Sequence, residues 1–136
     1  MSDKRVYGLG DESNFMPATA ISGTTPIVSA IIPMAAHDSV GLQLITTGTV
    51  AGAWKVEVSS NYVGTTNGSQ YGAITASGDW TTIPNSEFSP AITDPAGSAT
   101  SQYVQADLTC RNARITFTPA SGAGNAQVIG FCKSWS

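Results

Sequence analysis

The chain has 136 residues, of which 41% are hydrophobic and only 11% charged, with a net charge of −3. That length fits one domain with a core of its own. The charge leaves no basic surface for a nucleic-acid backbone. Sixteen serines, sixteen threonines, seventeen alanines and fourteen glycines fill the rest, so solubility comes from hydroxyls and backbone rather than from ionised groups.

The first segment, residues 1–17, holds Asp3, Lys4, Arg5, Asp11 and Glu12 together with Tyr7, Leu9, Phe15 and Met16, spaced by Gly8, Gly10 and Asn14. Four anchors so far apart cannot form their own core, so the segment reads as an extended arm whose apolar side chains seek a partner. The opening residues mix charges and lack an apolar secretory stretch, and the expectation is a product made in the cytoplasm. Gly8-Leu9-Gly10 is not framed by strand and helix, so it is no phosphate-binding turn.

From residue 18 onward the β signal dominates. Ala18 to Ser22 and Ile27 to Ile32 are strand-like, separated by Gly23-Thr24-Thr25-Pro26. Ile27 to Ala36 is the longest apolar run; interrupted by Ser29 and Pro33, it is far shorter than the ~20 residues of a membrane helix, so no membrane span is expected. Val40, Leu42 and Leu44 alternate with Gly41, Gln43 and Ile45. Trp54, Val56 and Val58 alternate with Lys55, Glu57 and Ser59, the cleanest half-buried strand of the chain. Gln70 to Thr75 follows Asn67-Gly68 and reads as a hairpin return on Trp54 to Tyr62. Trp80 to Ile83 is a short strand.

Pro84 to Thr100, with three prolines and few apolar residues, reads as a long exposed loop with one short strand near Phe88. Val104, Ala106 and Leu108 then alternate with Tyr103, Gln105 and Asp107, and Ile115 and Phe117 with Arg114, Thr116 and Thr118. Gly122-Ala123-Gly124-Asn125 is a hairpin turn. The last strand, Gln127 to Lys133, is apolar on both faces through Val128, Ile129, Phe131 and Cys132, which makes it central or covered by another subunit. About eight or nine short strands without a helix predict an all-β chain, a single antiparallel β-sandwich of jelly-roll type over residues 18–136.

Chemistry-bearing residues are sparse. His37 is the only histidine, so a Ser–His nucleophile or a metal hydrolase would have to run through it. One histidine and two strand-embedded cysteines lack the spacing of a zinc site. Asp79, Glu87, Asp94 and Asp107 are scattered, and nothing in sequence sets two of them at glycosidase separation. A calcium site of aspartates and carbonyls stays open, although no Asp-x-Asp run supports one. Cys110 and Cys132 read as reduced, buried thiols, with a disulfide as the alternative. Trp54 belongs to the core by its face, Trp80 to a rim or core edge, and the penultimate Trp135 either to a disordered end or to a partner surface. The expectation is a non-enzyme without cofactor or metal.

Gly52-Ala53-Trp54-Lys55-Val56-Glu57-Val58-Ser59-Ser60-Asn61-Tyr62, then Gly78-Asp79-Trp80-Thr81-Thr82-Ile83, Gln102-Tyr103-Val104-Gln105-Ala106 and Arg114-Ile115-Thr116-Phe117 resemble the strands of small β-sandwich virion proteins of tailed bacteriophages. The departure is Gln105, where those strands carry arginine. With the low-charge composition, the chain is most similar to jelly-roll capsid decoration, or cement, proteins. The resemblance implies a structural protein on the outer capsid surface of the virion, bound to the major capsid protein and to itself as a dimer or trimer, without nucleic acid or membrane. Its partner-binding residues would be Tyr7, Leu9, Phe15 and Met16 of the arm and Ile129, Phe131 and Trp135 of the C-terminal strand and tail. The alternative is a carbohydrate-binding or adsorption module of a phage tail or fibre.

Overall fold

A computed structural model describes residues 14–35, 37–61 and 78–134. The expected strand Gln70–Thr75 with its Asn67-Gly68 turn, and the side chains Tyr7, Leu9 and Trp135, lie outside the described residues. Among those described, nine strands and one short 3-10 turn, Asn85–Glu87, make up the regular structure.

The strands are β1 (Met16–Ala20), β2 (Ile27–Val28), β3 (Ile32–Pro33), β4 (Ser39–Thr46), β5 (Ala51–Ser59), β6 (Thr81–Ile83), β7 (Thr100–Asp107), β8 (Asn112–Ser121) and β9 (Asn125–Lys133). One sheet, here sheet A, has the order β1-β9-β4-β7; sheet B has β2-β8-β5-β6, with β3 also on β8. All pairings are antiparallel. Counted as one interrupted strand, β2 and β3 leave eight, and these pair first with last, second with seventh, third with sixth and fourth with fifth. That nesting, rolled so that β9 meets β4 and β8 meets β5, is the jelly roll expected from the alternating sequence.

Alternation explains the core. Val40, Leu42, Leu44, Val104, Ala126 and Val128 of sheet A point inward onto Trp54, Val56, Ala113, Ile115 and Phe117 of sheet B, all at most 3% exposed. Trp54 and Phe117 pack with their rings tilted at 54° and centroids 4.7 Å apart. The tip of the β8–β9 hairpin takes positive φ at Gly122 and Gly124. A Cβ on either would strike the backbone carbonyl of Thr49 or Thr47, so only glycine lets the tip lie on the β4–β5 turn.

Three expectations are corrected. The arm does not extend to residue 17: Phe15 and Met16 are 8% and 1% exposed and belong to the core. Met16 sits opposite Val128 on β9, so the strand register turns its side chain inward. Pro17 is tolerated there because β1 is an edge strand. The run Ile27 to Ile32 is not one strand. After Ser29, whose amide and hydroxyl bond the carbonyl and amide of Ile115, the Ala30 amide turns away to donate to the Phe15 carbonyl.

Residues 84–100, thirdly, are no bare exposed loop. Phe88 and Ile92 are buried. The Asp94 carboxylate accepts the Trp54 amide at 3.0 Å, and the Asn85 side-chain amide donates to the Trp54 carbonyl at 3.4 Å. Ser89 forms a two-way bridge with Gln105 on β7, the short strand-like contact foreseen near Phe88.

Candidate functional site

The outward face of sheet A is the most distinctive surface of the domain. Strand registers set its side chains in rows across β7, β4 and β9. The rows are Asp107–Ser39–Lys133, Gln105–Gly41–Phe131, Tyr103–Gln43–Ile129 and Ser101–Ile45–Gln127. Tyr103 and Phe131 are 47% and 40% exposed, two of the three large apolar side chains most open to solvent among the described residues. Ile129, level with Tyr103, and Ile45, one row further on, are half-buried. The centre of the face carries no formal charge, and its two ionised groups, Asp107 and Lys133, share the end row.

Tyr103 does not stand upright. Its ring lies over Gly41 on the neighbouring strand: a Cβ built at Gly41 would strike the tyrosine hydroxyl and sit 3.1 Å from Cζ. Gly41 is buried for that reason. Gln43 is held by a 2.8 Å bond from its side-chain amide to the Ser101 hydroxyl. At the charged end a cleft of about 430 Å³ opens, lined by Ser39, Gln105, Ala106, Asp107 and Lys133 with Glu87 and Ser89 on its rim.

The outward face of sheet B is different in kind. Glu57, 9% exposed, takes Arg114 Nε at 2.9 Å and Lys55 Nζ at 3.6 Å. Arg114 in turn stacks on the Trp80 ring, 4.2 Å from its centroid. Three charges and an aromatic thus close on one another, which compensates the cost of holding a carboxylate out of water. Trp80 takes the rim position expected of it, and Trp54 the core position.

The histidine lies between β3 and β4. His37 Nδ1 is 3.5 Å from the Ser134 hydroxyl, longer than the ~2.6–3.2 Å of a nucleophile–base pair. Both cysteines are free thiols. Burial pushes the Cys110 thiol up, and burial together with Cys110 pushes Cys132 up to about 11, so both are protonated at neutral pH and neither is an activated nucleophile. Cys132 Sγ lies 3.6 Å from Met34 Sδ in the core. Among the described residues no group of three or more His, Cys, Asp or Glu is placed to hold a metal ion, and no helix is long and apolar enough to cross a membrane.

Of the partner-binding residues expected from sequence, Ile129 and Phe131 are on the sheet A face and adjacent in register to its β4 centre. Phe15 and Met16 are spent on the core, and their side chains are covered by the domain itself. Sequence reasoning missed Tyr103, Gly41 and Ile45. The signal was there for Tyr103: it is an aromatic on the polar parity of an alternating strand, beside Gln105 and Asp107, and such a residue faces solvent or a partner. Compared with family models, with curated proteins and with solved structures, the chain finds no match.

Proposed function

We propose that the protein is a non-enzymatic structural component of a tailed-bacteriophage virion, a decoration protein that binds the outer surface of the capsid and stabilises it. The observation that carries this reading is the sheet A face: exposed Tyr103 and Phe131, half-buried Ile45 and Ile129, and charge confined to one end. Apolar, aromatic, low-charge surface is the composition of an interface centre. Low charge over the rest of the chain also lets many copies sit side by side with little repulsion. The major capsid protein is the partner, with assembly in the host cytoplasm.

Purified protein mixed with undecorated particles tests this. Saturable binding at hundreds of copies per particle, and a rise in particle melting temperature, are expected. Retention on tails alone, or no particle binding, overturns it.

One observation favours a second reading. The cleft at Asp107, Gln105 and Lys133 adjoins the exposed aromatics, and polar groups beside an aromatic floor are what a saccharide requires. In that case the protein is an adsorption module. Chemical-shift changes confined to the amides of Tyr103, Gln105, Asp107, Phe131 and Lys133 on titration with host surface glycans would replace the capsid reading.

A further inference from the structure

We infer that a second copy of this chain pairs along the open edge of β7, about a two-fold axis perpendicular to the sheet, so that two copies of sheet A join into one. The outward face of sheet A stays free for the shell, so the inference goes beyond the decoration reading without depending on it.

The edge is open over one short stretch. Gln105 turns both of its backbone groups away from β4: its amide donates to the Ser89 carbonyl at 3.1 Å, and its carbonyl accepts the Ser89 amide at 2.9 Å. The register of β7 on β4 runs without a shift, so the alternation of an antiparallel ladder turns the backbone groups of Tyr103 and Ser101 to that same side. Among the described residues none bonds them there. Past Ser89 the chain leaves the edge. The Ile92 amide donates to the Asn85 carbonyl, and Thr93 is tied to the Gln102 side chain by bonds of 3.0 and 2.7 Å, on the inward parity shared with buried Val104. The Tyr103 ring does not cover the edge either, because it lies over Gly41 in the direction of β4.

The other edges are guarded. β1 carries Pro17 and a register shift between Met16 and Thr19, and β2, β3 and β6 are only two or three residues long. Proline, irregular register and shortness are the means by which sheets keep their edges from pairing. β7 is eight residues long and has no proline, no lysine and no shift. Its exposed donors and acceptors are a template for another strand.

Self-complementarity names the occupant. With the axis through Gln102, Ser101 lies opposite Tyr103 of the second copy, and Tyr103 opposite its Ser101. Each of these pairs exchanges both of its N–H···O=C bonds, so every open backbone group of the stretch is satisfied on both copies. The side chains from Thr100 to Val104 are uncharged, so the copies meet without like-charge repulsion across the pair. Ser89 ends the pairing at Gln105. The chain enters β7 from Gly97, whose amide is bonded to the Val50 carbonyl beside β5, so it rises from the side of sheet B and does not run along Ser89 of the second copy. The axis turns both Tyr103–Phe131 faces the same way, and two four-stranded sheets become one continuous sheet. The contact is isologous and uses the one open edge of each copy, so association closes at two without leading to filaments.

The stretch Thr100–Val104 is short, which puts the contact below the ~1,200 Å² of standard interfaces. The dimer is accordingly weak in dilute solution and becomes dominant where a surface holds copies close together.

The backbone itself supplies the test. Sedimentation velocity from roughly 10 µM to 1 mM, a span suited to so small a contact, should show a monomer–dimer equilibrium. Over the same span hydrogen exchange at the Ser101 and Tyr103 amides should slow by up to about tenfold. Ser101→Pro removes an amide that faces the second copy and none that faces β4, as proline on an edge strand does, and should shift the equilibrium at least about tenfold toward monomer. Ser101→Ala loses the hydroxyl bonded to Gln43 but keeps the amide, and should dimerise like wild type; melting temperatures check that each variant folds. Gln102→Cys, on the axis, where facing Cα atoms are ~4.5 Å apart, should cross-link to its mate in oxidised glutathione. Gln105→Cys, ~20 Å from its mate, should not. A chain that stays monomeric throughout, a Ser101→Pro variant that dimerises like wild type, or cross-linking at 105 in place of 102 would each overturn the inference. Protection of the two amides on particles alone would give the edge to a segment of the shell and overturn it likewise. Particle binding is scored separately: a dimer that ignores particles removes the decoration reading alone, and a monomer that decorates them removes the dimer alone.

Discussion

Tyr103 on β7 lies over Gly41 on β4, and the absence of a side chain at residue 41 is what lets the ring lie flat on the sheet. A glycine inside a strand weakens it, through backbone entropy and a missing packing partner. An aromatic laid across it from the next strand restores the lost contact. Gly41→Val should therefore cost about 1–3 kcal/mol by displacing the ring. In a Tyr103→Ser background the same change should be neutral or stabilising, because valine then only adds β propensity. Urea unfolding of the four proteins in the cycle measures the coupling; equal costs in both backgrounds would show that the ring is not what excludes the side chain.

The closed cluster on sheet B makes a contrasting prediction. Arg114 is 29% exposed at its side chain and bonds Glu57 at 2.9 Å, whereas Lys55 is 45% exposed at 3.6 Å. Arg114→Ala leaves the nearly buried Glu57 carboxylate with one distant cation and uncovers Trp80, and should cost about 2–4 kcal/mol. Lys55→Ala removes a screened, mostly solvated contact and should cost under about 1 kcal/mol. Chemical denaturation ranks them, and a Lys55→Ala loss equal to the Arg114→Ala loss would mean that burial of Glu57 does not control the energetics.

Strand existence and face were legible wherever alternation was strong. Val40-Leu42-Leu44, Trp54-Val56 and Ile115-Phe117 point as their sequence parity requires, and the jelly-roll class follows from their number and spacing. Legibility failed where long-range partners decide. Met16-Pro17-Ala18-Thr19-Ala20 has one large apolar residue, so only Val128 opposite it reveals that β1 is a strand of the core. Residues 84–100 have little apolar content, and their order comes from side-chain bonds such as Asp94 to the Trp54 amide, forty positions apart in sequence. For the candidate site, Ile129 and Phe131 could be found because β9 is apolar on both faces. The companion Gly41 could not, because its role is to leave room for a residue on another strand.

Thiol chemistry gives a pH prediction. Cys132 is held protonated up to about 11, against about 9.0 for an ordinary thiol. Its pKa is raised on folding, so the folded state binds more protons between those values. The associated stability is complete below pH ~9 and is lost as pH rises through about 11. Relative to wild type, Cys132→Val should show a flatter fall in stability across that window. Ellman's reagent at pH 7.5 should react slowly with the native protein and reveal two thiols after denaturation. Rapid native labelling of Cys132, or no difference between the two alkaline profiles, would contradict the buried thiol.

The edge strand provides the last test. Met16 is 1% exposed and faces Val128, while the Phe15 carbonyl takes the Ala30 amide at 2.8 Å and its ring is 8% exposed. Both side chains close the open side of the sandwich where β1 meets β9. Met16→Ala should cost about 2–5 kcal/mol, from lost burial and the cavity it leaves. Pro17 beside it is exposed and, on an edge strand, has no ladder partner to lose, so Pro17→Ala should change stability by under about 1 kcal/mol. Deleting residues 2–16 removes both anchors and the Met16–Val128 pair, one of the three that register β1 on β9, and the truncated chain should melt well below the full one. A detachable arm ending at residue 17 requires the opposite, an unchanged melting temperature, so calorimetry on this one deletion separates an anchoring tail from the first strand of the domain.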